Sequence, residues 1–105
     1  MLMATMYHIE TIKPKVDLAE IEAFLRTEAI PYWRKRGFEV RVYITQHSLG
    51  HGPIWLFTGM ESMGDIDGWA EKATGEPEGQ RIMAKFMSMI ESVQANIVKD
   101  IEALP

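Results

Sequence analysis

The stretch from Phe38 to Thr45 constrains this chain more than any other. Phe38, Val40, Val42 and Ile44 alternate with Glu39, Arg41, Tyr43 and Thr45, a period of two that only an extended strand satisfies. One face asks for an apolar layer of helices. The other carries two charges and a phenol, so it needs a surface that accepts them. His47 to Pro53 is turn-rich in composition, and the bulky residues from Ile54 to Glu61 resume the extended pattern. A hairpin over 38–61 is therefore expected.

Upstream, 5–13 reads as a first strand, with Tyr7, Ile9 and Thr11 on one side and Met6, His8, Glu10 and Ile12 on the other. Tyr7 and Ile9 are the better core residues, which turns His8 and Glu10 to the opposite side. Pro14 lacks an amide proton and should end the ladder. Asp17 with Glu20 has the spacing of a capping box, and Val16 can staple to Ile21. Leu18, Ile21, Phe24, Leu25 and Ala29 form a helical stripe, in which Pro31 predicts a kink or a break. Arg34, Lys35, Arg36 and Gly37 close the helix with cations at its negative pole and glycine at the left-handed position.

Beyond the hairpin, Ser62 and Asp65 open a short helix through Trp69 that Gly64 and Gly68 weaken. A break at 74–79 precedes a second amphipathic helix through Ile82, Phe86, Met89 and Ile90. From Val93 onward the pattern fits either a continuing helix through Ile97, Ile101 and Leu104 or a strand. The strand is preferred, because a three-stranded sheet would leave the first or third strand as an open edge. The fold class expected is α+β, a ferredoxin-like βαββαβ unit with an antiparallel sheet.

With 105 residues, 47% of them hydrophobic and 25% charged, the chain suits one folded domain spanning 1–105. Its formal charge of −4 gives no broad positive field, so nucleic acid is not an expected partner. No apolar run approaches the roughly 20 residues of a bilayer span, and Met1 to Met6 is too short for a signal-peptide core. No membrane association and a cytoplasmic location are expected. Zero cysteine excludes disulfides and thiolate chemistry. The glycine-rich nucleotide motifs, the nucleophile elbow and the His-Glu-x-x-His pattern are all missing, so the usual nucleotide enzymes and common hydrolases are excluded and no cofactor is expected.

The order β-α-β-β-α-β, the strand Tyr7 to Pro14 ending in Lys-Pro, the helix end Ile30-Pro-Tyr-Trp-Arg-Lys-Arg-Gly37 and the break Gly75-Glu-Pro-Glu78 together resemble the dimeric α/β-barrel superfamily. That superfamily includes the NIPSNAP-like proteins and the antibiotic-biosynthesis-type monooxygenases. The resemblance implies a homodimer, packed sheet against sheet, with a small apolar ligand held in a cavity. It also implies a cofactor-independent oxygenase or isomerase acting on a small aromatic or polyketide-like molecule. A non-catalytic small-molecule-binding or structural homodimer is the alternative. Haem-degrading relatives present a helix histidine to iron, and 62–105 contain no histidine, which disfavours haem.

Within that reading His8 leads the candidate catalytic residues, followed by Arg41, Tyr43 and Glu10, all assigned to one sheet face. An imidazole, a carboxylate, a guanidinium and a phenol meeting there could abstract a proton and hold an enolate. The same groups could equally form a hydrogen-bonded network between subunits. His47 and His51 are loop-borne alternatives for substrate contact; their spacing is that of a metal pair, but they lie in a turn, and no metal is assigned. Trp55 and Trp69 complete the candidate substrate-binding set, and Met60, Met63, Met83, Met87 and Met89 fill either a core or an adaptable pocket.

Overall fold

A computed structural model describes residues 5–46 and 52–102. Strands β1 (Met6–Pro14), β2 (Val40–Ile44), β3 (Ile54–Met60) and β4 (Ile90–Lys99) form one antiparallel sheet in the order β2-β3-β1-β4. Helices α1 (Leu18–Phe24) and α2 (Ile30–Lys35) connect β1 to β2, while α3 (Trp69–Thr74) and α4 (Pro77–Ser88) connect β3 to β4. This is the ferredoxin-like α+β fold. The 90–99 segment is a strand, as the edge argument required, and the preceding helix stops at Ser88.

Pairing decides which way β1 faces. Ile12 lies opposite Ile54 on β3 and Val93 on β4, and both Ile12 and Ile54 are completely buried beneath the helices. Because side chains alternate strictly, Glu10 and His8 share the face of Ile12, opposite Leu56 and Thr58. This corrects the sequence expectation. Tyr7 and Ile9 lie on the open face with Arg41, Tyr43, Trp55 and Phe57, and His8 and Glu10 lie beneath the helices instead. Two strong apolar anchors, Ile12 and the half-turned Pro14, outweigh Tyr7 and Ile9. Pro14 is the last residue of β1, paired with Ile90 across a register shift, so the strand ends there as expected.

Pro31 brings no sharp break. A π-helical turn, Leu25–Ala29, joins α1 to α2. In one continuous α-helix, at about 100° per residue, Glu28 would fall on the buried stripe of Ile21, Phe24 and Leu25 while Trp33 would turn away. The π-turn takes up one extra residue and resets the phase. Ala29, Tyr32 and Trp33 then join the core, and Glu28 moves to the edge, where it accepts from Arg81 at 2.8 Å and Lys85 at 3.0 Å on α4. Asp17 occupies the N-cap of α1, but its side chain makes no cap hydrogen bond; its carbonyl instead accepts from Glu20 N. Gly37, at φ +93°, ends α2 in the left-handed region as expected. Arg34 reaches from α2 to donate to the Val40 carbonyl at 3.1 Å, on the outer edge of β2.

The core lies between the sheet and the helices, with Phe86 of α4 against Phe24 and Trp33. Helical cover stops short of β4, whose Val93 and Ile97 remain 43% and 39% exposed on that side. Among the described residues no helix is long and apolar enough to cross a membrane.

Gly79 marks the closest approach of α4 to its surroundings. A Cβ there would fall on the Ala73 carbonyl oxygen and 2.6 Å from the Tyr32 hydroxyl. Gly79→Ala should therefore lower unfolding stability by about 1–3 kcal/mol despite alanine's better helix propensity. Gly68→Ala, whose added methyl meets open space, should not. Denaturant unfolding of the two variants side by side measures the difference.

Candidate functional site

Beneath the helices the sheet contributes Glu10 from β1, Leu56 and Thr58 from β3 and Val40 from β2 to a cavity of about 310 Å³. Trp33 and Phe38, with Trp69 and Ala73 of α3 and Met83, Phe86 and Met87 of α4, complete its lining. Its walls are mostly apolar. The two methionines give it adaptable sides, whereas Met60 and Met89 are core residues and Met63 is exposed.

Glu10 is the ionisable group in that wall, and among the described residues no hydrogen bond or ion pair satisfies its carboxylate. Burial pushes its carboxyl above the ordinary glutamate value, an effect that the nearby His8 partly offsets. His8 lies two residues earlier on the same face, roughly 7 Å along the strand. Its ring meets Trp69 edge-on, with centroids 5.1 Å apart at 89°. Its Nδ1 is sealed from solvent without a hydrogen-bond partner. A buried polar atom left unpaired costs stability, so a satisfied alternative would be favoured. Thr58, 7% exposed, adds a hydroxyl on the strand beside them.

A second, more polar cleft of about 520 Å³ lies next to the cavity, lined by Glu39, Asp65, Lys72 and the backbone of Gly37 and Gly59. Phe38 and Trp69 line both spaces. Asp65 belongs to the cap that opens a 3-10 turn, Met63–Gly68, where its carboxylate accepts from the backbone N–H of Glu61 at 2.7 Å and Ser62 at 3.2 Å. Those hydrogen bonds hold its carboxyl below the usual aspartate value.

The structure thus brings together His8, Glu10 and Trp69 of the predicted set and separates them from the rest. Tyr43 and Trp55 are on the open face, with Tyr43 49% exposed and edge-on to Phe57 at 5.4 Å. Arg41 starts from that face and lines a third groove of about 510 Å³ beside α1, α2 and the β2 edge. His47 and His51 lie outside the described residues. Among the described residues no three His, Asp or Glu side chains stand close enough to hold a metal ion. Trp33, Thr58 and Phe86 were missed; the helical phase of Trp33 depends on the π-turn, which no local pattern announces.

No protein-family model and no curated protein matches the chain. Solved structures do. An uncharacterized NIPSNAP domain protein from Burkholderia xenovorans aligns with a TM-score of 0.77 at 9% identity, over 95% of this chain and 98% of that one. The cofactor-independent oxygenase SnoaB from Streptomyces nogalater aligns at 0.62 and 13% identity, over 95% and 96%. A dimeric ferredoxin-like protein of unknown function from Bacteroides fragilis aligns at 0.61 and 15%, over 90% and 94%. At these identities the likeness is one of fold, and the fold is the one that the sequence order predicted.

Because the Glu10 carboxyl holds its proton more tightly folded than unfolded, the chain loses stability as pH rises from the ordinary carboxylate range through the raised value. Glu10→Gln does not titrate there. Its melting temperature should match that of the parent in acid, where Glu10 is protonated, and exceed it at neutral pH. Thermal unfolding followed across that range tests the sign, and parallel curves would show that burial does not strain the carboxylate.

Proposed function

We propose that the chain is a homodimeric, cofactor-independent oxygenase or isomerase that takes a small aromatic or polyketide-like ketone into the cavity of about 310 Å³ and moves a proton on it. One observation carries this reading: Glu10 lines a mostly apolar space, and His8, whose buried Nδ1 has no hydrogen-bond partner, stands two residues away on the same face of β1. A mostly apolar wall strengthens each polar contact made against it. Its volume suits two fused rings better than a long chain.

In this reading the His8 imidazole takes a proton from carbon next to the carbonyl, and the electron pair left behind becomes an enolate. Glu10, whose carboxyl burial pushes above the ordinary glutamate value, donates from its protonated form a hydrogen bond to the enolate oxygen. Return of the proton from His8 to a different carbon completes an isomerisation. With dioxygen as co-reactant, the enolate carbon instead forms a C–O bond, the peroxide oxygen takes up the proton, and loss of water leaves a new carbonyl. Arg41 and Tyr43 have no part in these steps, since they lie away from the cavity. Their place is in the dimer, where the open face would cover the aromatic patch of Tyr7, Tyr43 and Phe57.

A bicyclic ketone, 2-tetralone, tests the chemistry. The protein should speed exchange of its α-protons for deuterium in D2O, read by proton NMR, and His8→Gln should abolish the acceleration while Glu10→Ala reduces it. Unaccelerated exchange alongside measurable tetralone binding would instead favour the non-catalytic alternative. Sedimentation equilibrium should give twice the chain mass for the parent and for His8→Gln alike, because His8 faces away from the proposed interface. A stable monomer at micromolar concentration would remove the dimer.

A further inference from the structure

The sheet side of the cavity is a patch of four residues on three strands: Val40 of β2, Leu56 and Thr58 of β3 and Glu10 of β1. Thr58 is the unexpected member. It is 7% exposed, it pairs with Val40 on one side and His8 on the other, and valine would fill the same volume with the same preference for a strand. What threonine adds is a hydroxyl. Among the described residues that hydroxyl has no hydrogen-bond partner, whereas Thr74 of the same cavity donates its own to the Ala70 carbonyl. Nor is it shut away. Among the described residues His8 Nδ1 is the side-chain atom sealed without a partner, so the Thr58 oxygen keeps access to the space that it lines. A hydroxyl held unpaired in an apolar wall lowers stability, and a ligand group that bonds to it removes that cost.

Pairing fixes where this hydroxyl stands. Thr58 is directly opposite His8, while Glu10 is opposite Leu56, one step along the same face. The three Cβ atoms therefore form a triangle, with Thr58 about 5 Å from His8 and about 7–8 Å on the diagonal from Glu10. A simple ketone uses two corners: its oxygen goes to Glu10 and its α-hydrogen to His8. A second oxygen, on the carbon beyond the α-carbon, falls toward the third. We infer that Thr58 selects a 1,3-dioxygenated bicyclic ring, a cyclic β-diketone or its enol, by donating its hydroxyl hydrogen to the second oxygen. The carbon between the two carbonyls loses its proton to His8, and the electron pair left behind spreads over both oxygens, one held by Glu10 and one by Thr58. Such a C–H is far more acidic than that of a simple ketone, which suits imidazole as the base. The inference rests on the reading of the cavity as the place of proton transfer and narrows its substrate.

Naphthols hold oxygen on a flat ring as the enolate does, so they serve as probes, with affinities read by calorimetric titration under nitrogen. The parent should bind 1,3-dihydroxynaphthalene about tenfold more tightly than 2-naphthol. It should bind 2,6-dihydroxynaphthalene, whose second oxygen points away from Thr58, no better than 2-naphthol. Thr58→Val should bind the three alike, and Thr58→Ser, which keeps a hydroxyl, should retain the preference. Without ligand, Thr58→Val should melt no lower than the parent, because it loses an unpaired group. A lower melting temperature would give the hydroxyl a structural bond and overturn the assignment. Equal affinity for the three naphthols in the parent, a comparison that needs no variant to fold, would overturn it too, as would a preference that survives Thr58→Val. Failure of every naphthol to bind the parent would remove the cavity reading, and this inference with it.

Discussion

Everything about the candidate site depends on the burial of Ile12 between Ile54 and Val93 at the centre of the sheet. A strand has no intermediate orientation, so a single anchored residue commits every other residue of β1 to one face or the other. That commitment carries a carboxylate and an imidazole under the helices, where neither finds an ion pair among the described residues. Burying one apolar side chain fully is worth about 1.5–3 kcal/mol, and Ile12 and Ile54 are both fully buried. The chain therefore tolerates the exposure of Tyr7 and Ile9 on the open face.

Most of the fold was legible because most of its elements announce themselves locally. The alternation at Phe38 to Thr45, the glycine at position 37 and the acidic cap at Asp65 all read correctly without tertiary information. The fourth strand was legible only through topology, since Val93, Ile97 and Ile101 satisfy a helix as well as a strand. The site was harder to read. Tyr7 and Ile9 are more apolar than His8 and Glu10, so a reading residue by residue turns β1 the wrong way. Only the partner strands, through Ile12, correct it. The cavity's aromatic wall was equally hidden, because Trp33 joins the core through a change of helical phase at Leu25–Ala29, and nothing in a 3.6-residue pattern forecasts where a turn takes an extra residue.

The two faces of the sheet consequently have different work. Beneath the helices, aromatic and methionine side chains line a cavity that half-buries Glu10. On the open face, Tyr7, Tyr43 and Phe57 form a chain of edge contacts at 6.3 and 5.4 Å. Polar residues predicted to act together are divided between these two environments. Arg41 and Tyr43 lie on the open face, and His8 and Glu10 on the face beneath the helices.

The guanidinium of Arg34 on the Val40 carbonyl bears on how such a molecule could assemble at all. A four-stranded sheet has two free margins, and copies that joined the margin of one to the opposite margin of the next would add without end, as a fibre does. Arg34 occupies one margin with a charged group, and the strand there is only the five residues of β2. The ten residues of β4 form the other. Unequal margins of this kind oppose open-ended growth from strand edge to strand edge.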